Sequence, residues 1–405
     1  MKILHTADLH LGLTFIDAVL GYRASEERRL DLLANFDRMV DKAVNEKYDF
    51  FLISGDIFQT TNPSGRTFVD FSTRIGMLSD AGVQIIVIPG NHDVPKSTPS
   101  VNMTRGLAEA RAPRFYLQSE IPDKPLILES RDGRKVGFLQ MPFLSPQSVV
   151  HLEDVKNEGE LTRQYNSFME HRIDLLLEDS ALKDTVYRII LAHGTVAGAS
   201  YGSERSFISF EIPIWTETLL RSSINYVAMG HIHLPQTMLG RGHIYYPGSI
   251  ERMTFGEEGQ EKKFITLEEE KDELKPFYHI LPCRPMLTIK APDLTESTDP
   301  TSRLKELIDS TDIPKGAMLR LLARIARRTV LKTADLEETL EKKEVLYHII
   351  HTEWEVESEV TIRPKDIRSI KKLVEEQLQA LDLDEKVRQR ALRYAEQIIG
   401  EVEER

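Results

Sequence analysis

Lys2-Ile3-Leu4-His5-Thr6-Ala7-Asp8-Leu9-His10-Leu11-Gly12 carries an apolar run, Ile3–Thr6, straight into an Asp-x-His pair. The same sequence pattern recurs four times downstream. Phe50–Ser54 leads into Gly55-Asp56, and Ile85–Ile88 into Pro89-Gly90-Asn91-His92-Asp93. Arg188–Leu191 leads into Ala192-His193-Gly194, and Tyr226–Met229 into Gly230-His231-Ile232-His233. Runs this short and apolar read as strands. Helical spacing lies between them: Leu30, Leu33, Phe36 and Val40, then Phe68, Phe71, Ile75 and Leu78, recur every three or four residues. Val136–Gln140 supplies another strand, and Tyr245 to Leu267 reads as further strands and turns. Strands alternating with helices predict an α/β fold, in which ligands gather at the carboxyl ends of strands.

Composition sets the outer limits. The chain has 405 residues, 41% of them hydrophobic and 29% charged, which suits two or three soluble globular domains and excludes wholesale disorder. No apolar run approaches the ~18 residues of a membrane helix. A strand pattern starting two residues after Met1 leaves no room for a signal peptide. Cys283 is the single cysteine, so an internal disulfide is impossible, and a reducing cytoplasm is expected. The formal charge of −12 argues, on its face, against a polyanionic partner.

The strand ends carry chemistry. Asp8, His10, Asp56, Asn91, His193, His231 and His233 are too many donors for one tetrahedral ion, but they suit two ions sharing a carboxylate. Carboxylate, amide and imidazole donors without thiolate favour Mn²⁺, while Zn²⁺, Fe²⁺ or Mg²⁺ would also fit. Two metals ~3.5–4 Å apart hydrolyse phosphate esters. The i, i+2 spacing of Asp8/His10 and of His231/His233 is expected to put each pair on one side of an extended backbone. Glycines at 55, 90, 194 and 230 let the chain turn and approach a ligand closely. Taken singly, each fragment also has a plainer reading; Asp56, for example, suits the cap of a following helix. Their shared order and placement favour a metal site.

These motifs resemble those of the calcineurin-like metallophosphoesterases. The opening Lys2–Gly12, Gly230-His231-Ile232-His233-Leu234-Pro235-Gln236 and Tyr246-Pro247-Gly248-Ser249 are similar to the SbcD-type double-strand-break repair nucleases within them. The resemblance implies a sandwich of two mixed β-sheets flanked by helices, with a small α+β capping domain and C-terminal helices. It divides the chain into a nuclease domain at 1–282, a DNA-binding cap at 285–360 and a partner-binding segment at 364–405. It further implies that Asp56 bridges two Mn²⁺ ions, with Asp8, His10 and His233 completing one and Asn91, His193 and His231 the other. His92 would contact the scissile phosphate, and Asp93 would support the ligands. Family members act as 3′→5′ exonucleases on duplex DNA and as endonucleases on single strands and hairpins. They pair as homodimers and work with a coiled-coil ABC ATPase, SbcC in bacteria, which implies a cytoplasmic, nucleoid-associated protein. Gln59 departs from the pattern, since archaeal and eukaryotic relatives carry histidine there. No P-loop motif occurs, so any ATP dependence must come from the partner.

The second part of the chain reads as a βαβαβ module, with strands at Met286–Lys290, Ala317–Ile325 and Val345–Glu355 and helices at Ser302–Asp309 and Asp335–Lys343. From Pro364 onward, two apolar helical stripes form a helix pair that needs something to lie against. Ile313 to Ala334 holds six Lys and Arg residues and no acid. On a strand, Arg320 and Arg324 share a face, joined by Arg328 if the strand continues, which makes either a phosphate-contacting ridge or a solvated sheet face. Phe68, Phe71 and Ile75 face either a dimer partner or their own sheet. Three functions remain open: an SbcD-type nuclease, a small-molecule phosphodiesterase or protein phosphatase, and a non-catalytic DNA tether.

Overall fold

The computed structural model describes residues 1–13, 22–94, 106–107, 109, 112–150, 157–202, 212–238, 243–326 and 329–354. The chain divides into one unit made of 1–324 with 330–353 and a second made of 325–329 and 354–405. Most of that second unit, including the proposed helix pair at 364–405, lies outside the described residues, as does Arg328.

In the first unit, β1 (Lys2–Thr6), β2 (Phe50–Ser54), β3 (Gln84–Ile88) and β4 (Phe115–Leu117) are joined by β11 (Lys262–Glu270) and β12 (Glu273–Leu281). Their order is β12-β11-β1-β2-β3-β4. A second six-stranded sheet runs β5-β6-β7-β8-β10-β9. It is built from β5 (Leu126–Glu129), β6 (Lys135–Met141), β7 (Thr185–His193), β8 (Tyr226–Gly230), β9 (Gln236–Thr237) and β10 (Ile244–Tyr246). Both sheets mix parallel and antiparallel neighbours.

Alternation along β2 shows why its sequence is apolar throughout. Phe50 and Leu52 pack between the sheets with Phe138, Ile189 and Leu191, while Phe51 and Ile53 pack outward under the helices. Helix α1 (Tyr22–Asn45) contributes Leu33, Phe36 and Val40 to that outer core, and α2 (Gly65–Asp80) contributes Phe71, Ile75 and Leu78. The α2 helix starts at Ser64, whose side chain accepts the Thr67 N–H at 3.1 Å. A helix at Glu158–Leu177 covers the far side of the second sheet with Tyr165, Met169 and Ile173. The layers are therefore helix, sheet, sheet, helix.

One residue departs from its pattern, and one open choice is decided. Leu30 belongs to the α1 stripe by spacing but is 46% exposed. Phe71 and Ile75 are buried in the chain's own core, which settles the choice between dimer partner and own sheet for these two residues.

After β12 the chain builds a three-stranded sheet from β13 (Met286–Lys290), β14 (Met318–Ile325) and β15 (Tyr347–Trp354). Helices at Pro300–Ser310 and Thr333–Lys342 follow β13 and β14, as their periodicity indicates. Arg284 ties the entrance of this module to α1, donating to both carboxylate oxygens of Asp31 at 2.6 and 2.7 Å and to Glu27 at 3.1 Å.

Candidate metal centre

β1, β2 and β3 run parallel, as do β7 and β8, so the first three bring their carboxyl ends to one edge of their sheet and the other two to one edge of theirs. The loops leaving these edges bring the seven expected donors together. Donor atoms of Asp8, His10 and His233 lie within 4.8 Å of one another, as do those of Asp56, His193 and His231. Asp56 Oδ2 is 3.6 Å from His10 Nε2 and 3.4 Å from His193 Nε2, which puts this carboxylate between the two groups. Asn91 Oδ1 lies 3.0 Å from His193 Nε2 and 2.9 Å from His231 Nδ1.

The local backbone corrects one expectation. Asp8 and His10 are not on extended backbone: their φ values are 51° and 44°, and Asp56 and His231 join them at 50° and 101°. Left-handed conformations cost a non-glycine residue about 1–3 kcal/mol each and persist only where surrounding structure enforces them. Here the enforcement is visible. The loop after β1 runs beside the loop after β2, with Asp8 N–H on Gly55 O, His10 N–H on Asp56 O and Leu11 N–H on Ile57 O, at 2.9–3.0 Å. Asp93 clamps the same loop, accepting the N–H groups of Ile57, Phe58 and Gly90 at 3.0 Å each. Its support is thus to the backbone around Asp56. At Gly90 a Cβ would overlap the Asp56 carboxylate and backbone nitrogen, and at Gly230 it would overlap the Ser54 carbonyl.

Electrostatics favour a cation. Asp8 and Asp56 are buried to 0% and 1% exposure, and burying two carboxylates together is costly without counter-charge. Burial and the Asp56 charge push the Asp8 carboxyl upward. Burial would lower the His193 imidazole, but Asp56 and Asp8 outweigh it and raise the group to about 9. The carboxylates thus draw positive charge into the site. Burial brings His10 down to about 3, keeping it a neutral imidazole with a lone pair to offer. His10 Nε2 and His233 Nε2 face each other at 3.1 Å, and His193 Nδ1 donates to the Ser54 carbonyl at 2.8 Å, which leaves Nε2 for the site. Converging lone pairs on buried imidazoles, an amide oxygen and two carboxylates fit a pair of borderline-hard divalent ions.

His92 sits at the rim. Its backbone N–H donates to Asp56 Oδ1 at 2.9 Å and its Nδ1 to the Gln59 carbonyl at 2.9 Å. The departure at residue 59 therefore keeps a role, since the contact is a backbone one. A donor atom of His92 also lies within 4.8 Å of those of His10 and Asp56.

Sequence reasoning missed Glu257 and Lys262. Glu257 Oε1 lies 3.1 Å from His233 Nδ1, and its Oε2 is 2.7 Å from Lys262 Nζ, with both side chains fully buried. Burial opposes ionisation of Glu257, yet the His233 hydrogen bond and the Lys262 ammonium hold its carboxyl down to about 2. Neither residue belongs to a short motif, so only the fold reveals them.

On the three-stranded module, Arg320 and Arg324 do share a face of β14, opposite the buried Leu319, Leu321 and Ala323. Arg320 is committed internally: its guanidinium lies 5.2 Å over the Phe255 ring and donates to Thr288 Oγ1 at 3.1 and 3.2 Å. Arg324 is exposed and pairs with Asp293 at 3.3 Å.

A two-sheet sandwich with an Asp/His/Asn cluster at its strand ends defines a metal-dependent phosphoesterase. Residues 1–235 match the model of the calcineurin-like phosphoesterases, and the chain belongs to that family. Among curated relatives, the SbcD component of the SbcCD nuclease of Escherichia coli K12 is 27% identical over 312 residues, covering 74% of this chain and 72% of its own. The protein of the same name from Rhodobacter capsulatus is 26% identical over 363 residues, 84% of each chain. The "DNA double-strand break repair protein Mre11" of Methanopyrus kandleri is 24% identical, over 65% of this chain and 51% of its own. Among the described residues, no helix is long and apolar enough to cross a membrane.

Proposed function

We propose that this chain is a two-metal DNA nuclease of the SbcD type, a 3′→5′ exonuclease on duplex ends and an endonuclease on single strands and hairpins. The observation that carries the reading is the convergence of seven donors around the buried Asp56 carboxylate. Asp8, His10 and His233 would hold one Mn²⁺, Asn91, His193 and His231 the other, and Asp56 both. Bound there, the ions would supply Lewis acidity that lowers the pKa of a water and offsets the charge of the phosphoryl oxygens. His92, with Nδ1 tied to the Gln59 carbonyl, offers Nε2 to the scissile phosphate, where it stabilises developing charge or protonates the leaving oxygen.

The division into 1–282, 285–360 and 364–405 completes the proposal. The middle segment contacts DNA, and the last captures an SbcC-like ATPase. The chain acts as a homodimer on chromosomal DNA in the cytoplasm. A single assay tests the activity: purified protein with Mn²⁺ and labelled hairpin DNA, single-stranded DNA and a nitrophenyl phosphodiester. Cleavage of both DNAs, lost in Asp56→Asn together with bound metal, is expected. Cleavage of the small ester alone would sink the reading. Removing residues 364–405 should leave nuclease activity in place and abolish ATPase capture.

A further inference from the structure

We infer that Glu257 is a positioning residue that sets the tautomer of His233 and so prepares it as a metal ligand; the inference rests on the two-ion reading above. Imidazole can present Nε2 as a ligand only when the proton sits on Nδ1, and the partner of Nδ1 decides this. For His193 and His92 that partner is a backbone carbonyl. For His233 it is the Glu257 carboxylate, 3.1 Å away, a pure acceptor that admits one arrangement: Nδ1 donates and Nε2 keeps its lone pair, facing His10 Nε2.

The carboxylate itself cannot turn. Its second oxygen accepts the Met253 N–H at 2.9 Å and the Lys262 ammonium at 2.7 Å. Lys262 closes the ring by also donating to the His233 carbonyl at 2.9 Å. One buried lysine thus grips both the backbone of the ligand and the group that orients its ring. The 3₁₀ turn Phe255–Glu257 is capped by Thr254, whose hydroxyl accepts the Gly256 N–H at 3.2 Å, and this fixes the base of the arrangement. A buried lysine and glutamate of this kind gain little as an ion pair. Their geometry is better explained by what they hold.

Glu257→Gln reads the inference sharply because the amide has only one way to sit. Its oxygen must face Met253 N–H and Lys262, which turns its NH₂ toward His233 Nδ1. The amide then donates where the carboxylate accepted, and the His233 proton moves to Nε2. In metal-free protein labelled with ¹⁵N-histidine, two-bond ¹H–¹⁵N correlation spectra should place the wild-type His233 proton on Nδ1 and the variant's on Nε2. Mn²⁺ titration by calorimetry should show one of two sites weakened 10–100-fold in the variant, with the other unchanged. Glu257→Gln/Lys262→Met, which removes the unbalanced charge and keeps Met253 N–H as the guide, should behave alike and guards against misfolding.

A wild-type His233 protonated on Nε2 overturns the inference whatever the variants do. So does a variant that binds both ions with wild-type affinity. A wild-type protein that binds fewer than two Mn²⁺ while His233 carries its proton on Nδ1 would instead count against the two-ion reading and leave the tautomer assignment standing.

Discussion

The strand-end cluster and the basic face of β14 are both charged, yet they are built in opposite ways. In the cluster Asp56 is gripped through its side chain by His92 N–H and through its loop by Asp93, and four residues sit in left-handed backbone. On β14, Arg324 has, among the described residues, a single partner at 3.3 Å and half of its side chain in water. If the β14 face meets DNA, the contrast separates two ways of handling phosphate. A centre that does chemistry must resist rearrangement when charge moves, whereas a surface that follows a nucleic-acid backbone needs charge and little else.

The largest expected effect comes from asking whether His92 belongs to the fixed set of metal donors or to the reacting phosphate. His92→Ser should retain two Mn²⁺ by elemental analysis while lowering turnover about 10²–10⁴-fold, the range for losing a proton-transfer group. Loss of one ion in this variant would move His92 into the ligand set and enlarge the cluster by one member.

Rigidity of the cluster can be broken without touching a donor. At Gly230 the Cβ of alanine would strike the Ser54 carbonyl and come within 2.9 Å of His193 Nδ1. Gly230→Ala should therefore cost about 1–3 kcal/mol in urea unfolding, the usual price of overpacking, and weaken metal binding as His193 shifts. Among the described residues nothing lies within 4 Å of a Cβ at Gly65, so Gly65→Ala, in an exposed first helical turn, should leave metal binding unchanged. Equal effects at the two positions would show that the strand-end packing is looser than its geometry indicates.

Acid should distinguish the two regions as well. His5, three residues before Asp8, is fully buried and donates or accepts at Tyr226 Oη, 2.9 Å away. Burial carries its pKa from 6.5 down to about 3, so between those values only the unfolded chain takes up the proton. Its contribution to stability is complete above pH 6.5 and falls progressively as pH drops toward 3, at about 1.4 kcal/mol per unit. Between pH 7 and pH 5, wild type should lose about 2 kcal/mol more than His5→Phe in chemical denaturation. Parallel pH profiles would remove His5 as a source of acid sensitivity.

How much of this was legible in the sequence follows from how local each feature is. Strand ends announced themselves because apolar runs stop abruptly at Asp8, Asp56, Asn91, His193 and His231, and buried parallel strands have no other way to look. The donors were therefore readable, but their spatial arrangement was not: Asp8 and His10 meet by a left-handed turn that Asp-x-His spacing does not encode. Glu257 and Lys262 were hidden for a different reason. Their value lies in contacts with His233, 24 and 29 positions earlier in the chain, and nothing within a few residues of Glu257 signals them.

The smallest effects belong to the β14 face, and there the two arginines should part company. Among the described residues Arg324 makes one exposed ion pair, so Arg324→Ala should change stability by less than about 0.5 kcal/mol. If that residue meets phosphate, the log–log salt slope of DNA binding should fall by about 1. Arg320 stands over Phe255, two residues from Glu257, and its guanidinium is tied to Thr288. Arg320→Ala should cost about 1 kcal/mol through the lost ring contact and packing, with a salt slope near wild type, because a guanidinium already engaged on two sides has less to offer a phosphate. A salt slope that falls equally in both variants would return Arg320 to the DNA-facing ridge and make the β14 face one continuous surface. A slope unchanged in both would make that face a solvated sheet surface.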